Sequence, residues 1–337
     1  MHCIKSRRMP VDMGRHPVSL NDMRKAATAL DGVVTRTALL ENPDVNAVLG
    51  GRLLLKAENM QRTGAFKIRG AYHRLLNLTE DELARGAASY SSGNHALGLA
   101  QAAAIMGTSA VIVMPSDAPE AKKAAVQAMG AEIVTYDRDT QDSADVVAKV
   151  IADTGRIEVP PSAHPQILAG AGTAALELLE DAGEPIDAVL IPCGGGGLTA
   201  ATAVVMAEAS PSTEVFAAEP TLFDDTRRSM AEGKRVPNPK DRRTICDAIM
   251  TPIPGEMTFA INRDLLAGGV TATDDEVRNA MRFVFEHFKI VAEPGAVVGL
   301  AAILNGQVPI KNRVVATVIT GGNIDPLRFA QLLEVPQ

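Results

Sequence analysis

Tryptophan is absent from this 337-residue chain, cysteine occurs three times, and aromatic residues make up only 3% of it. Cys3, Cys193 and Cys246 are odd in number and far apart, which excludes a disulfide-stapled scaffold and a CxxC metal site and points to a reducing cytoplasm. No apolar run reaches the roughly 18 residues of a membrane-spanning helix, and no hydrophobic stretch follows the basic N-terminus as a secretory leader would require. Positive charge is also short: a formal net charge of −7 argues against a surface that neutralises phosphate backbones. The expected partner is a small molecule, with no nucleic acid and no membrane.

What the chain does have is 46% hydrophobic residues and 28 glycines, enough for a sizeable core and two α/β lobes. Short apolar β-rich runs at 52–57, 87–92, 109–114, 131–136, 187–193, 214–220 and 313–320 alternate with helical patterns at 94–107, 119–129, 143–153, 171–182 and 197–209. Strands so uniformly apolar are buried on both faces, the mark of open, mostly parallel, doubly wound sheets with helices on each side. Residues 86–160 read as a small domain closed by Pro160-Pro161. Residues 1–85 and 161–337 read as a large discontinuous one, with residues 1–16 as a disordered extension and 234–262 as an irregular excursion. A ligand cleft is expected between the lobes.

Four constellations carry chemistry. In Thr63-Gly64-Ala65-Phe66-Lys67-Ile68-Arg69-Gly70, Lys67 stands among apolar neighbours at the start of a helix, where desolvation and the helix end both favour the neutral amine. Gly194-Gly195-Gly196-Gly197, between the strand DAVLIP and an alanine-rich helix, lets backbone N–H groups approach a phosphate. Ser91-Ser92-Gly93-Asn94-His95 offers hydroxyls, an amide and free N–H groups at another helix start. Thr320-Gly321-Gly322-Asn323 ends the last apolar strand with a hydroxyl able to meet a heterocycle nitrogen. The glycine loop alone also fits the relaxed GxGxxA dinucleotide fingerprint through Gly195, Gly197 and Ala200, with Glu219 near the place of a ribose-binding acid. An NAD-dependent dehydrogenase is therefore a competing reading, although it leaves Lys67 idle.

Taken together and in this order, the motifs TGAFKIRGA, SSGNHA, GAGT (170–173), CGGGGL, AAEP, AEPGA (292–296) and TGGN resemble the fold-type II (tryptophan synthase β-like) pyridoxal 5′-phosphate enzymes. The branch they resemble holds threonine/serine dehydratases and serine racemases. That resemblance implies Lys67 as the Schiff-base lysine with Phe66 beside the cofactor ring, and Gly194, Gly195, Gly196 and Gly197 around its phosphate. It further implies Asn94 on the phenolic oxygen, Thr320 opposite the pyridine nitrogen, and Ser91, Ser92, Gly93 and His95 at the substrate carboxylate. Glu219, Asp225 and the Phe223 carbonyl resemble the family's divalent-cation site, whose oxygen donors suit Mg²⁺ or Ca²⁺.

The implied activity is elimination of water from a β-hydroxy amino acid of the L-threonine or L-serine type, giving a 2-oxo acid and ammonia. A neutral hydroxyl opposite the pyridine nitrogen suits that outcome, because it does not stabilise a long-lived carbanion. Ser92 occupies the position from which racemase-like members reprotonate the α-carbon, so serine racemase is one alternative. Threo-3-hydroxyaspartate dehydratase is another, because Pro160-Pro161 and Ala171 replace polar residues usual near the cleft. A non-catalytic binding protein on the same fold would have no need of Lys67. The resemblance also implies a homodimer and, since the chain ends soon after its last helical stretch, a catabolic enzyme without an appended regulatory domain.

Overall fold

The computed structural model describes residues 13–118, 120–137 and 139–334; Cys3 and most of the expected extension, residues 1–12, lie outside the described residues. Strands β1 (Leu39–Leu40), β2 (Arg52–Lys56), β7 (Ala188–Pro192), β8 (Glu214–Pro220), β9 (Gly268–Ala272) and β10 (Val314–Val318) form a six-stranded sheet in the order β1-β2-β10-β7-β8-β9. Strands β3 (Ala87–Tyr90), β4 (Ala110–Pro115), β5 (Glu132–Tyr136) and β6 (Ile157–Glu158) form a four-stranded sheet in the order β5-β4-β3-β6. Only the β1–β2 pairing is antiparallel among them.

The alternation of side chains along a strand explains why both faces of the larger sheet are covered. Val189, Ile191, Val314, Ala316 and Val318 enter one core, while Ala188, Leu190, Val315 and Ile319 enter the other. Between the two sheets the Lys67–Leu76 helix gives Ile68, Ala71, Tyr72 and Leu75 to a third core, shared with Leu99 and Ala103 of the Asn94–Met106 helix and Ile112 of β4. Ile68, the residue after Lys67, therefore sits where the Lys67–Leu76 and Asn94–Met106 helices meet.

Several expected boundaries shift for identifiable reasons. The helix expected from 171 begins at Pro165, because the His164 side chain accepts from the Gln166 N–H and proline suits a first helical turn. The excursion expected over 234–262 gives way at its end to the Glu256–Leu265 helix. Strand β9 was hidden by its glycines, and two-residue β1 and β6 are too short for any periodicity.

Candidate active site

A cavity of about 920 Å³ opens where the strand ends of both sheets converge. Its walls include Phe66, Lys67, Ser91, Ser92, Gly93, Asn94, His95, Gly194 to Gly197 and Thr320, so all four motifs meet in one place. The first three come together because each opens a helix: Lys67 leads Lys67–Leu76, Asn94 leads Asn94–Met106 and Gly197 leads Gly197–Ala209. Helix starts carry unpaired N–H groups and a positive end, which makes the cavity a site for anionic groups.

Lys67 Nζ donates to the Pro161 carbonyl at 2.7 Å and lies 5.1 Å from the centre of the Phe66 ring. Burial lowers its pKa from the ordinary lysine value to about 8, with the Glu293 carboxylate pulling the other way. The Asn94 amide donates to Glu293 Oε1 at 2.5 Å and accepts from Asn323 Nδ2 at 2.8 Å. Glu293 itself is 5% exposed, and burial raises its carboxyl to about 7 against the opposing hydrogen bond from Asn94. Ser91 Oγ accepts from the Gly93 N–H at 3.2 Å, shaping the loop, while Ser92 stands on the cavity wall. Thr320 anchors the Phe66 N–H through its carbonyl at 3.2 Å and lines the cavity.

His95 differs from a simple carboxylate ligand. Its Nε2 is bonded to the Val159 carbonyl at 2.8 Å, and burial, then the Lys67 charge, lower its pKa to about 3. The ring is thus a packed neutral donor, and what His95 can offer an anion is its backbone N–H. Sequence reasoning gave no role to Glu293, Asn323, Ser162, Lys122 or Arg328, all on the cavity wall. The first two were visible only as an acid before Pro294 and as the last letter of TGGN.

The residues of the cavity fit the phosphorylated pyridine aldehyde that the resemblance implies. A Cβ on Gly195 would fall 2.6 Å from Ser162 Oγ, and Gly196 holds φ +82° with Asn262 and Thr258 pressing on its α-carbon side, so only a bare backbone fits this cradle. The Lys67 amine, partly buried, lines the same cavity. Glu219 and Asp225 lie outside these walls. Glu219 is fully buried and accepts from the Thr226 and Arg227 N–H groups, each at 2.8 Å, so it is closed to a ribose and the dehydrogenase reading loses its acid.

Comparison with known proteins agrees. Residues 30–321 match the family model described as pyridoxal-phosphate dependent enzyme, and the chain belongs to that family. It is 39% identical to an L-threo-3-hydroxyaspartate ammonia-lyase of a Pseudomonas species, over 94% of this chain and 98% of that one. An L-threonine ammonia-lyase of Thermotoga maritima is 37% identical, over 91% of this chain and 76% of its own. The crystal structure of serine racemase from Dictyostelium discoideum superposes with a TM-score of 0.85 at 35% identity, covering 92% of this chain and 99% of the other. The chain is thus a pyridoxal-phosphate enzyme of the ammonia-lyase and racemase branch, with the fold its motifs implied.

Proposed function

We propose that the protein is a pyridoxal-phosphate-dependent ammonia-lyase that removes water from a β-hydroxy amino acid of the L-threonine or L-serine type. The observation that carries this reading is the Lys67 amine, which lines one cavity with the glycine cradle and the Ser91–Asn94 loop and whose pKa desolvation lowers to about 8. When bound, the cofactor supplies an electron sink that acidifies the substrate α-hydrogen. Gly194 to Gly197 hold its phosphate, and Asn94, oriented by Glu293 and Asn323, meets its phenolic oxygen. Thr320 presents a neutral hydroxyl to the ring nitrogen. Ser91, Ser92 and the first-turn N–H groups of the Asn94 helix bind and orient the α-carboxylate. Lys67 Nζ, neutral in part near pH 8, takes the α-proton as general base. The β-hydroxyl takes up a proton and leaves as water, so that the α-hydrogen and the hydroxyl are lost together as H2O, and the released enamine tautomerises to an imine that one water hydrolyses to a 2-oxo acid and ammonia.

A second reading, with a hydroxyaspartate substrate, is favoured by two cations on the cavity wall, Lys122 and Arg328. Lys122 Nζ lies 3.3 Å from Asp247 Oδ2, while the Arg328 side chain forms no ion pair among the described residues. A panel of serine, threonine, both 3-hydroxyaspartate diastereomers and phenylserine, read by ammonia and 2-oxo acid, decides between them. Turnover of none of these, or full turnover by Lys67→Ala, contradicts the proposal. D-serine formed from L-serine and lost in Ser92→Ala identifies racemisation.

The cation and assembly readings join the same proposal. A Mg²⁺ or Ca²⁺ site at Glu219, Asp225 and the Phe223 carbonyl is supported by Asp225 Oδ2, which is buried with no hydrogen-bond partner. Among the described residues no group of three or more His, Cys, Asp or Glu side chains is placed to hold a metal, so the third donor has to be a backbone oxygen. Residues 86–160 are taken as the small domain, and 1–85 with 161–337 as the large one, supported by the two separate sheets. A homodimer is supported by exposed Leu327 and by Phe285, packed edge-on against Phe329 at 5.7 Å. A cytoplasmic setting is supported by two buried, unpaired cysteines, Cys193 and Cys246. No helix among the described residues is long and apolar enough to cross a membrane.

A further inference from the structure

Ser162 lies in the segment that joins the small sheet to the Pro165–Asp181 helix, two residues past Pro160. Three observations place it on the glycine cradle. Its Oγ lies 2.6 Å from where a Cβ on Gly195 would be, and its Cβ lies 3.0 Å from where one on Gly197 would be. It stands on the cavity wall beside Gly194 to Gly197 and Thr199. Its carbonyl is engaged by the His164 N–H at 3.1 Å, which fixes the backbone, while its hydroxyl is bonded to no other described residue. The preceding carbonyl, that of Pro161, is the acceptor of Lys67 Nζ, so one short segment reaches both Lys67 and the glycine loop.

We propose that Ser162 is a side-chain ligand of the cofactor phosphate, adding a hydroxyl donor to the backbone N–H groups of Gly194–Gly197. The chemistry suits the place: a serine hydroxyl rotates freely to donate to an anion, and a hydrogen bond to a charged group is stronger than one between neutral groups. The approach is close enough that a side chain at Gly195 or Gly197 would collide with Ser162. Its hydroxyl has no role in the steps assigned to Lys67, so its removal acts on cofactor retention first.

The test titrates cofactor-free protein with pyridoxal 5′-phosphate and, separately, with pyridoxal, following the visible band of the imine with Lys67. Ser162→Ala is expected to weaken pyridoxal 5′-phosphate binding about tenfold and to leave pyridoxal binding unchanged, since only the phosphate contact is lost. Inorganic phosphate is expected to raise the melting temperature of the cofactor-free parent more than that of the variant. Equal affinity of parent and variant for pyridoxal 5′-phosphate overturns the proposal, as does an equal loss for both aldehydes. Ser162→Cys, nearly isosteric and a weak donor, is measured alongside. The same selective loss in it supports the assignment, and retained phosphate-dependent affinity in it overturns the assignment even where the alanine variant folds poorly.

Discussion

At the scale of single residues the site depends on how burial distributes protons between Lys67 and Glu293. Each raises the cost of the other's neutral form, yet burial wins in both: the amine falls to about 8 and the carboxyl rises to about 7. Glu293 faces Lys67, Lys122 and Asp247, with Asn94 bonded directly to it. Its negative charge is a factor that raises the Lys67 pKa, so Glu293→Gln is expected to lower it. In cofactor-free protein, pH-dependent labelling of Lys67 by an amine reagent should show a midpoint near 8, moved downward in Glu293→Gln. An upward or absent movement contradicts the assignment. The same carboxyl has a sign in stability. A group whose folded pKa lies above its ordinary value of 4.5 supports folding below that value, and the support is lost as pH rises through about 7. Glu293→Gln should therefore flatten the fall in melting temperature of the cofactor-free protein between about pH 5 and 8.

At the scale of elements, two helices must approach closely for the Asn94 loop to reach Lys67. Gly98, one turn into the Asn94–Met106 helix, makes that contact: a Cβ there would lie 2.9 Å from Ile68 N and 3.2 Å from Lys67 Cβ. Backbone atoms cannot yield as a flexible side chain can. Gly98→Ala is expected to cost about 1–3 kcal/mol of stability by overpacking and to displace Lys67 from the loop. Thermal melting and the KM for the amino acid read the two effects separately, and an unaltered enzyme on both counts contradicts the packing argument. The same helices show what was legible in the sequence. Glycine-rich punctuation and alanine-rich periodicity marked the starts of the Gly197 and Asn94 helices to the residue. The motif residues, quoted in order, were enough to assemble the cavity. The ring orientation of His95 was not legible, because its partner is a carbonyl 64 positions away whose placement depends on β6 pairing with β3. Neither was Glu293, an acid among apolar residues whose meaning appears only once Asn94 is seen to reach it.

At the scale of the whole molecule, the larger sheet carries a second polar locus away from the cavity. Glu219 at the end of β8 and Asp225 at the start of the next helix bury two carboxyls; burial, and for Glu219 the neighbouring Asp225 charge, raise both. Asn238 donates to Asp225 Oδ1 and to the Thr251 carbonyl, tying the irregular excursion to this pair. That excursion supplies Thr244, Ile245, Asp247, Ile249 and Thr251 to the cavity wall. A cation that binds only the folded form stabilises it by mass action, about 2.7 kcal/mol at a hundredfold excess over Kd. Chelation should therefore lower the melting temperature, Mg²⁺ or Ca²⁺ should restore it, and Asp225→Asn should abolish the response. Identical melting with and without chelator removes the cation from the account.

The central claim is a covalent one, that a bound pyridoxal phosphate is joined to Lys67. Borohydride reduction of the holoenzyme, followed by digestion and peptide mass analysis, tests it directly. A phosphopyridoxyl group is expected on the peptide containing Thr63 to Gly70, at Lys67 alone. A group on any other lysine, or none on this peptide from yellow protein, would contradict it.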